Sequence, residues 1–161
     1  MEKIFDELFG ELTYNLSWIG KTILSIFGVE HEVGLHIRCN EGENITANQR
    51  QVYINFEQHS TEILKNTEMA IFNYYLEVCQ DYQARLQDAE LIKKNAPVIT
   101  RICELKDLVE AQTLLIDYDY QDEKPIRMGI LFECTWEPEH GVAVRIENGE
   151  IVETGFQDIV I

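Results

Sequence analysis

The sequence predicts an α+β protein: an antiparallel sheet, built from an N-terminal meander and C-terminal hairpins, packed against two central helices. Three observations predict it. Val33 to Cys39 alternates apolar and polar residues with period two, as a half-exposed strand does. Ile63, Thr67, Ala70, Ile71, Tyr74 and Val78 recur at helical spacing over about four turns. Asn148-Gly149 stands between two alternating runs, and that pair is the strongest short-range hairpin signal. Strands at both ends with helices between them are not the alternating order of βαβ units.

At 161 residues the chain is expected to form one domain, residues 1–161, with a substantial core. Lys and Arg number 13 against 29 Asp and Glu, a formal charge of −16. Self-repulsion of that size favours solubility and argues against nucleic acid or an anionic membrane as partner. A basic protein partner suits it. No apolar run approaches the ~20 residues of a membrane span. The opening M-E-K-I-F-D-E-L-F lacks the basic and then apolar layout of a signal peptide. Cys39, Cys79, Cys103 and Cys134 form no C-x-x-C pair. Without an export signal they read as reduced, mostly buried thiols in a cytoplasmic protein.

Taken in order, Ile4, Phe5, Leu8 and Phe9 lie at the spacing of a short helical turn within residues 1–10. Strands follow at Leu12 to Trp18 and Lys21 to Phe27, around Ile19-Gly20, and then at Val33 to Cys39. Thr46-Ala47-Asn48-Gln49 is a capping box, with Ile45 placed as a staple, and Val52, Tyr53 and Phe56 continue the first helix. His59-Ser60-Thr61 marks a break before the long apolar stripe. The pattern weakens from Gln83 to Pro97, which reads as a connection. A short helix is expected from Glu104 to Glu110 and a strand from Thr113 to Tyr118. Tyr120 to Pro125 is a polar loop.

The last stretch, Arg127 to Ile161, holds three apolar runs and two turns. A two-residue turn at Asn148-Gly149 sets Glu147 against Glu150, Ile146 against Ile151 and Val144 against Glu153. Glu153 is then out of place on an apolar face. Pro138 presets φ for the earlier turn, and Gly141 can close it in the left-handed region. A loop from Glu137 to Gly141 puts Trp136, Cys134 and Phe132 opposite Val142, Val144 and Ile146. A one-residue slip would turn every side chain over, so this apolar match selects the register.

Chemistry concentrates around His140, flanked by Glu139 and Glu137, with Glu133 and Asp158 not far away in sequence. Such a group suits a general base or a metal cluster. The paired short spacing of a zinc site is absent, and a Cys134–His140–Cys39 site has no pattern behind it. No G-x-S-x-G, Walker or dinucleotide-binding loop occurs; Gly20-Lys21-Thr22 resembles a Walker ending, but Asn15 stands where its first glycine belongs. The plainer expectation is a polar turn in which His140 packs on Trp136 or bonds a carboxylate.

At T-W-E-P-E-H-G-V-A-V and the closing T-G-F-Q-D-I-V-I the chain resembles an uncharacterised bacterial family labelled a domain of unknown function. Its members carry C-T-W-D-x-E-H-G-x-x-V followed by N-G-x-x-x-x-x-G-[YF]-Q-D, and Glu137 here replaces the Asp. Ile45 to Gln49, as I-T-x-x-Q, and Tyr74-Tyr75 are similar too. The resemblance transfers no catalytic residue. Some similar small acidic proteins are immunity partners of toxins.

The function expected is therefore a cytoplasmic protein-binding module, in its sharpest form toxin-neutralising, with no cofactor and no metal. Its candidate surface is Trp136, Glu137, Glu139, His140 and Asp158. The alternative is a small hydrolase or metal-dependent enzyme centred on His140, Glu139 and Glu137.

Overall fold

A computed structural model describes residues 1–161. Eight strands form one sheet whose spatial order follows the chain: β1 (Lys3–Asp6), β2 (Gly10–Tyr14), β3 (Trp18–Ile26), β4 (Val29–Ile37), β5 (Val109–Ile116), β6 (Met128–Cys134), β7 (Val142–Glu147) and β8 (Glu150–Gly155). Helices α1 (Ala47–Gln58), α2 (Ser60–Leu86) and α3 (Ala89–Asn95) all lie between β4 and β5. The fold is α+β. Neighbouring strands are antiparallel except β4 and β5, which run parallel. Parallel neighbours cannot be joined by a tight turn, and the three helices supply the crossover.

One apolar cluster of 35 buried residues runs through the molecule, so N-terminal and C-terminal strands share a core. Leu35 and Ile37 of β4, Leu114 and Ile116 of β5 and Ile130 and Phe132 of β6 are all fully buried in it. Ile71 and Tyr75 of α2 close it from the helical side, both with no exposed surface. A smaller cluster of Leu115, Leu131, Ala143 and Val160 lies apart, where the chain end folds back onto the sheet.

The N-terminal residues form a strand pair and not a helical turn. Asp6 Oδ1 accepts the N–H groups of Leu8 (2.8 Å) and Phe9 (3.1 Å), a local turn that diverts them from a helical ladder. Arg50 of α1 donates to both oxygens of that carboxylate, at 2.9 and 2.6 Å. The next reversal lies at Asn15 to Ser17, with Leu16 at φ 64°, and Ile19-Gly20 sits inside β3. A Cβ on Gly20 would stand 2.7 Å from Leu12 Cδ2, so this glycine permits close strand approach and makes no turn.

Thr46 caps α1 in a complete capping box with Gln49. His59 is the joint between α1 and α2, where the break was expected. The stripe on α2 is buried at Ile63, Thr67 and Ile71 but then continues through Tyr75, Cys79 and Tyr82; Ala70, Tyr74 and Val78 are only partly covered. Residues 83–97 are largely helical: α2 runs to Leu86, Gln87 ends it in the left-handed region, and Asp88 caps α3. The expected helix at Glu104 to Glu110 is a 3₁₀ turn, Ile102–Asp107, and Val109 already belongs to β5.

In the C-terminal hairpins the expected face is right and the register is not. Phe132 stands opposite Val142, with Ile130 opposite Val144 and Met128 opposite Ile146. The shift is even, so Phe132, Cys134 and Trp136 still point into the core. Past Phe132 the strand pairs only with β5, Cys134 opposite Val109, and the loop to β7 is correspondingly longer. At the second hairpin Asn148 (φ 52°) and Gly149 (φ 76°) have the positive φ of a type I′ turn. A bulge then sets Glu153 opposite Arg145 instead of Val144. Their side chains pair at 3.0 Å, which removes the acid from the apolar face.

Candidate functional site

The turn from Cys134 to Gly141 is held from three directions. Thr135 donates its N–H to Leu108 and its hydroxyl to the carbonyl of Asn95, at 2.9 and 2.8 Å. Trp136 turns inward, 5 % exposed, with its ring 4.6 Å from that of Tyr75. It is therefore a core anchor with almost none of its surface exposed. Its indole N–H lies buried without a hydrogen-bond partner. The Gly141 N–H donates to the Glu137 carbonyl at 2.9 Å and closes the turn. Gly141 has φ 60°, and a Cβ there would lie 2.5 Å from the Phe132 carbonyl oxygen, so only glycine fits.

The chain end completes this unit. Gln157 donates its side-chain N–H to the Phe132 carbonyl (2.9 Å) and its backbone N–H to that of His140 (3.1 Å). Phe156 stacks on the His140 ring, centroids 4.8 Å apart and planes 19° apart. The E-P-E-H-G turn and the G-F-Q-D segment are thus two halves of one packed structure. Asp158 is exposed and makes no polar contact with the turn.

His140 Nδ1 meets Glu137 Oε1 at 3.0 Å, while the Tyr82 hydroxyl donates to Glu137 Oε2 at 2.9 Å. Burial pushes the Glu137 carboxyl upward, but the bonds from His140 and Tyr82 outweigh it and hold the group below its ordinary range. Burial and this carboxylate push the Tyr82 phenol well above its own. Burial likewise raises the Cys134 thiol to about 12, which makes it inert. Donor atoms of Glu137, Glu139 and His140 lie within 4.8 Å of one another. The carboxylate orients the imidazole through Nδ1 and leaves Nε2 without a partner in the chain. A cation here would have to displace the bonds that Glu137 already makes. Cys39 lies far off in the fold, buried beside Gln49, so no Cys134–His140–Cys39 site forms.

Two surface clefts lie elsewhere. One, of about 610 Å³, opens at the C-terminal ends of the parallel strands β4 and β5, beside Arg38, Tyr118 and Asp119. Below it the buried Gln49 amide donates to the carbonyls of Arg38 (2.8 Å) and Asp117 (3.0 Å), tying the two strand ends together. The buried Asp117 carboxylate lies 3.3 Å from both Arg38 and Arg127. The second cleft, of about 770 Å³, runs between the α1–α2 joint, the loop before β6 and the β7–β8 turn. Neither site was visible in the sequence beyond the capping box, because their partners are far apart along the chain.

No helix is long and apolar enough to cross a membrane. No curated protein and no solved structure matches the chain. A family profile covers residues 8–161, nearly the whole chain and both halves of the packed turn. The chain belongs to the family described as Domain of unknown function (DUF6985).

Proposed function

We propose that the chain is a protein-binding module for a basic protein partner, acting as a toxin-neutralising, immunity-like protein. The observation that carries this is the state of its charges. Of the 13 Lys and Arg, five (Lys21, Arg38, Arg50, Arg127 and Arg145) pair with the chain's own carboxylates, and most of the 29 Asp and Glu have no cationic partner, which leaves the net charge of −16 uncompensated. An acidic field of that kind speeds encounter with a basic surface and repels acidic ones.

A second function, metal-dependent or general-base chemistry at His140, is favoured by the close approach of Glu137 and Glu139 to that ring. A pull-down from lysate of the source cell, at about 50 and about 500 mM salt, separates the two. That change shortens the Debye length from roughly 14 to roughly 4 Å. Binding should weaken strongly with salt and survive His140→Ala. Failure to capture any partner at low salt, together with a stoichiometric metal lost in His140→Ala, would favour the enzyme.

A further inference from the structure

The second cleft has a composition that neither the turn at His140 nor the overall charge explains. Its floor is apolar, formed by Val52 and Phe56 of α1, Ile63 of α2 and Ile126 before β6. Four carboxylates stand around it, Glu62, Asp119, Asp122 and Glu150, against one cation, Lys124. They come from three separate elements: α2, the loop before β6 and the tip of the β7–β8 hairpin. The Glu62 and Glu150 carboxylates make no hydrogen bond or ion pair within the chain. Asp119 is held in place by Thr46 (2.8 Å), Asn48 (3.2 Å) and the Gln121 N–H (2.9 Å). The first and largest of these bonds outweighs desolvation and keeps its carboxyl below the ordinary range, so it stays charged.

An apolar floor under an acidic rim suits one side-chain chemistry in particular. Lysine and arginine lay their alkyl stems on apolar surface while the charged head reaches for carboxylates. Leucine or isoleucine beside them would fill the rest of the floor. The Asn55 amide on α1 and the Asn148 amide at the β7–β8 turn can meet the carbonyls and N–H groups of a peptide main chain. A volume of about 770 Å³ admits a few such side chains and not a folded domain.

We infer that this groove docks a short segment of a partner in which lysine or arginine alternates with aliphatic residues. The inference rests on the basic-partner function proposed above and adds where and how the partner is held.

The test selects a random twelve-residue peptide library against the full chain and maps the recovered peptides by amide chemical shifts. Peptides rich in lysine or arginine with aliphatic neighbours should emerge and shift Asn55, His59 and Asn148. The doubly reversed variant Glu62→Lys/Glu150→Lys should bind them about tenfold or more weakly, as expected for exposed rim charges. Both positions are exposed, so the variant should keep the fold, and the shift map on the unaltered protein stands independently of it. Basic peptides that shift the Glu137–His140 turn, and bind the variant unchanged, would overturn the groove but leave the basic-partner function standing. Recovery of acidic or neutral peptides, or of none, would overturn the groove, while the pull-down at low and high salt decides the basic-partner function on its own.

Discussion

Gln49→Leu tests whether one side chain holds the parallel seam together. Gln49 is 1 % exposed. Its amide donates to the Arg38 and Asp117 carbonyls at 2.8 and 3.0 Å, and its oxygen accepts the Thr46 N–H at 3.0 Å. Leucine fills similar space but leaves all three backbone groups without that partner. A stranded buried polar group costs about 1–3 kcal/mol. The adjoining cleft lets water reach part of the site, so the expected total is about 2–4 kcal/mol rather than the full sum. Gln49→Glu should be at least as damaging at neutral pH, because a carboxylate accepts and cannot donate to two carbonyls. Urea unfolding followed by fluorescence of Trp18 and Trp136 reports on both halves of the sheet, since both rings are buried. A Gln49→Leu shift within ~0.5 kcal/mol would refute the seam's dependence on this residue.

Two further outcomes follow from the core and the N-terminal hairpin. Ile71→Ala, at a position with no exposed surface, should cost about 2–5 kcal/mol in the same assay; a change within ~0.5 kcal/mol would move Ile71 out of the core. The Arg50 hydrogen bonds hold the Asp6 carboxyl at about 2 in the folded protein, against an ordinary 3.8. A folded value below the unfolded one means that the pair stabilises above pH 3.8 and that this is lost as pH falls towards 2. Arg50 is partly exposed, so the contribution expected is about 1–2 kcal/mol. Asp6→Asn should flatten the acid limb in that window, and an unchanged limb would show that the pair contributes little.

What could be read in the sequence was local. Thr46 with Gln49, and Asn148 with Gly149, carry their structural reason within a few residues, and both are built as expected. The face of β6 was legible because side-chain alternation survives any even shift. Its register was not, since the choice between Val142 and Ile146 opposite Phe132 depends on where β6 leaves β7 and continues along β5. Glu153 looked misplaced because a bulge is decided by a cross-strand partner, here Arg145. The opening residues match helical spacing, yet Asp6 and the distant Arg50 hold them as a hairpin. At the candidate site Glu137, Glu139 and His140 do come together. The clamp on the turn is Gln157, whose role has no local pattern, and Trp136 turned inward to meet Tyr75.

The single parallel pairing has a consequence for the order of folding. β1 to β4 are joined by short reversals and can assemble from neighbours, as can β5 to β8. The β4–β5 contact must instead close the whole span from Ile37 to Val109, and closure entropy rises with that length before any pairing repays it. During synthesis the first meander therefore emerges with Leu24, Ile26, Leu35 and Ile37 bare until α2 and the later strands arrive. Substitutions along the β4–β5 line are expected to quicken unfolding far more than they slow folding, and stopped-flow rates would show it. A chain cut short before Val109 should leave half a core open to water and aggregate.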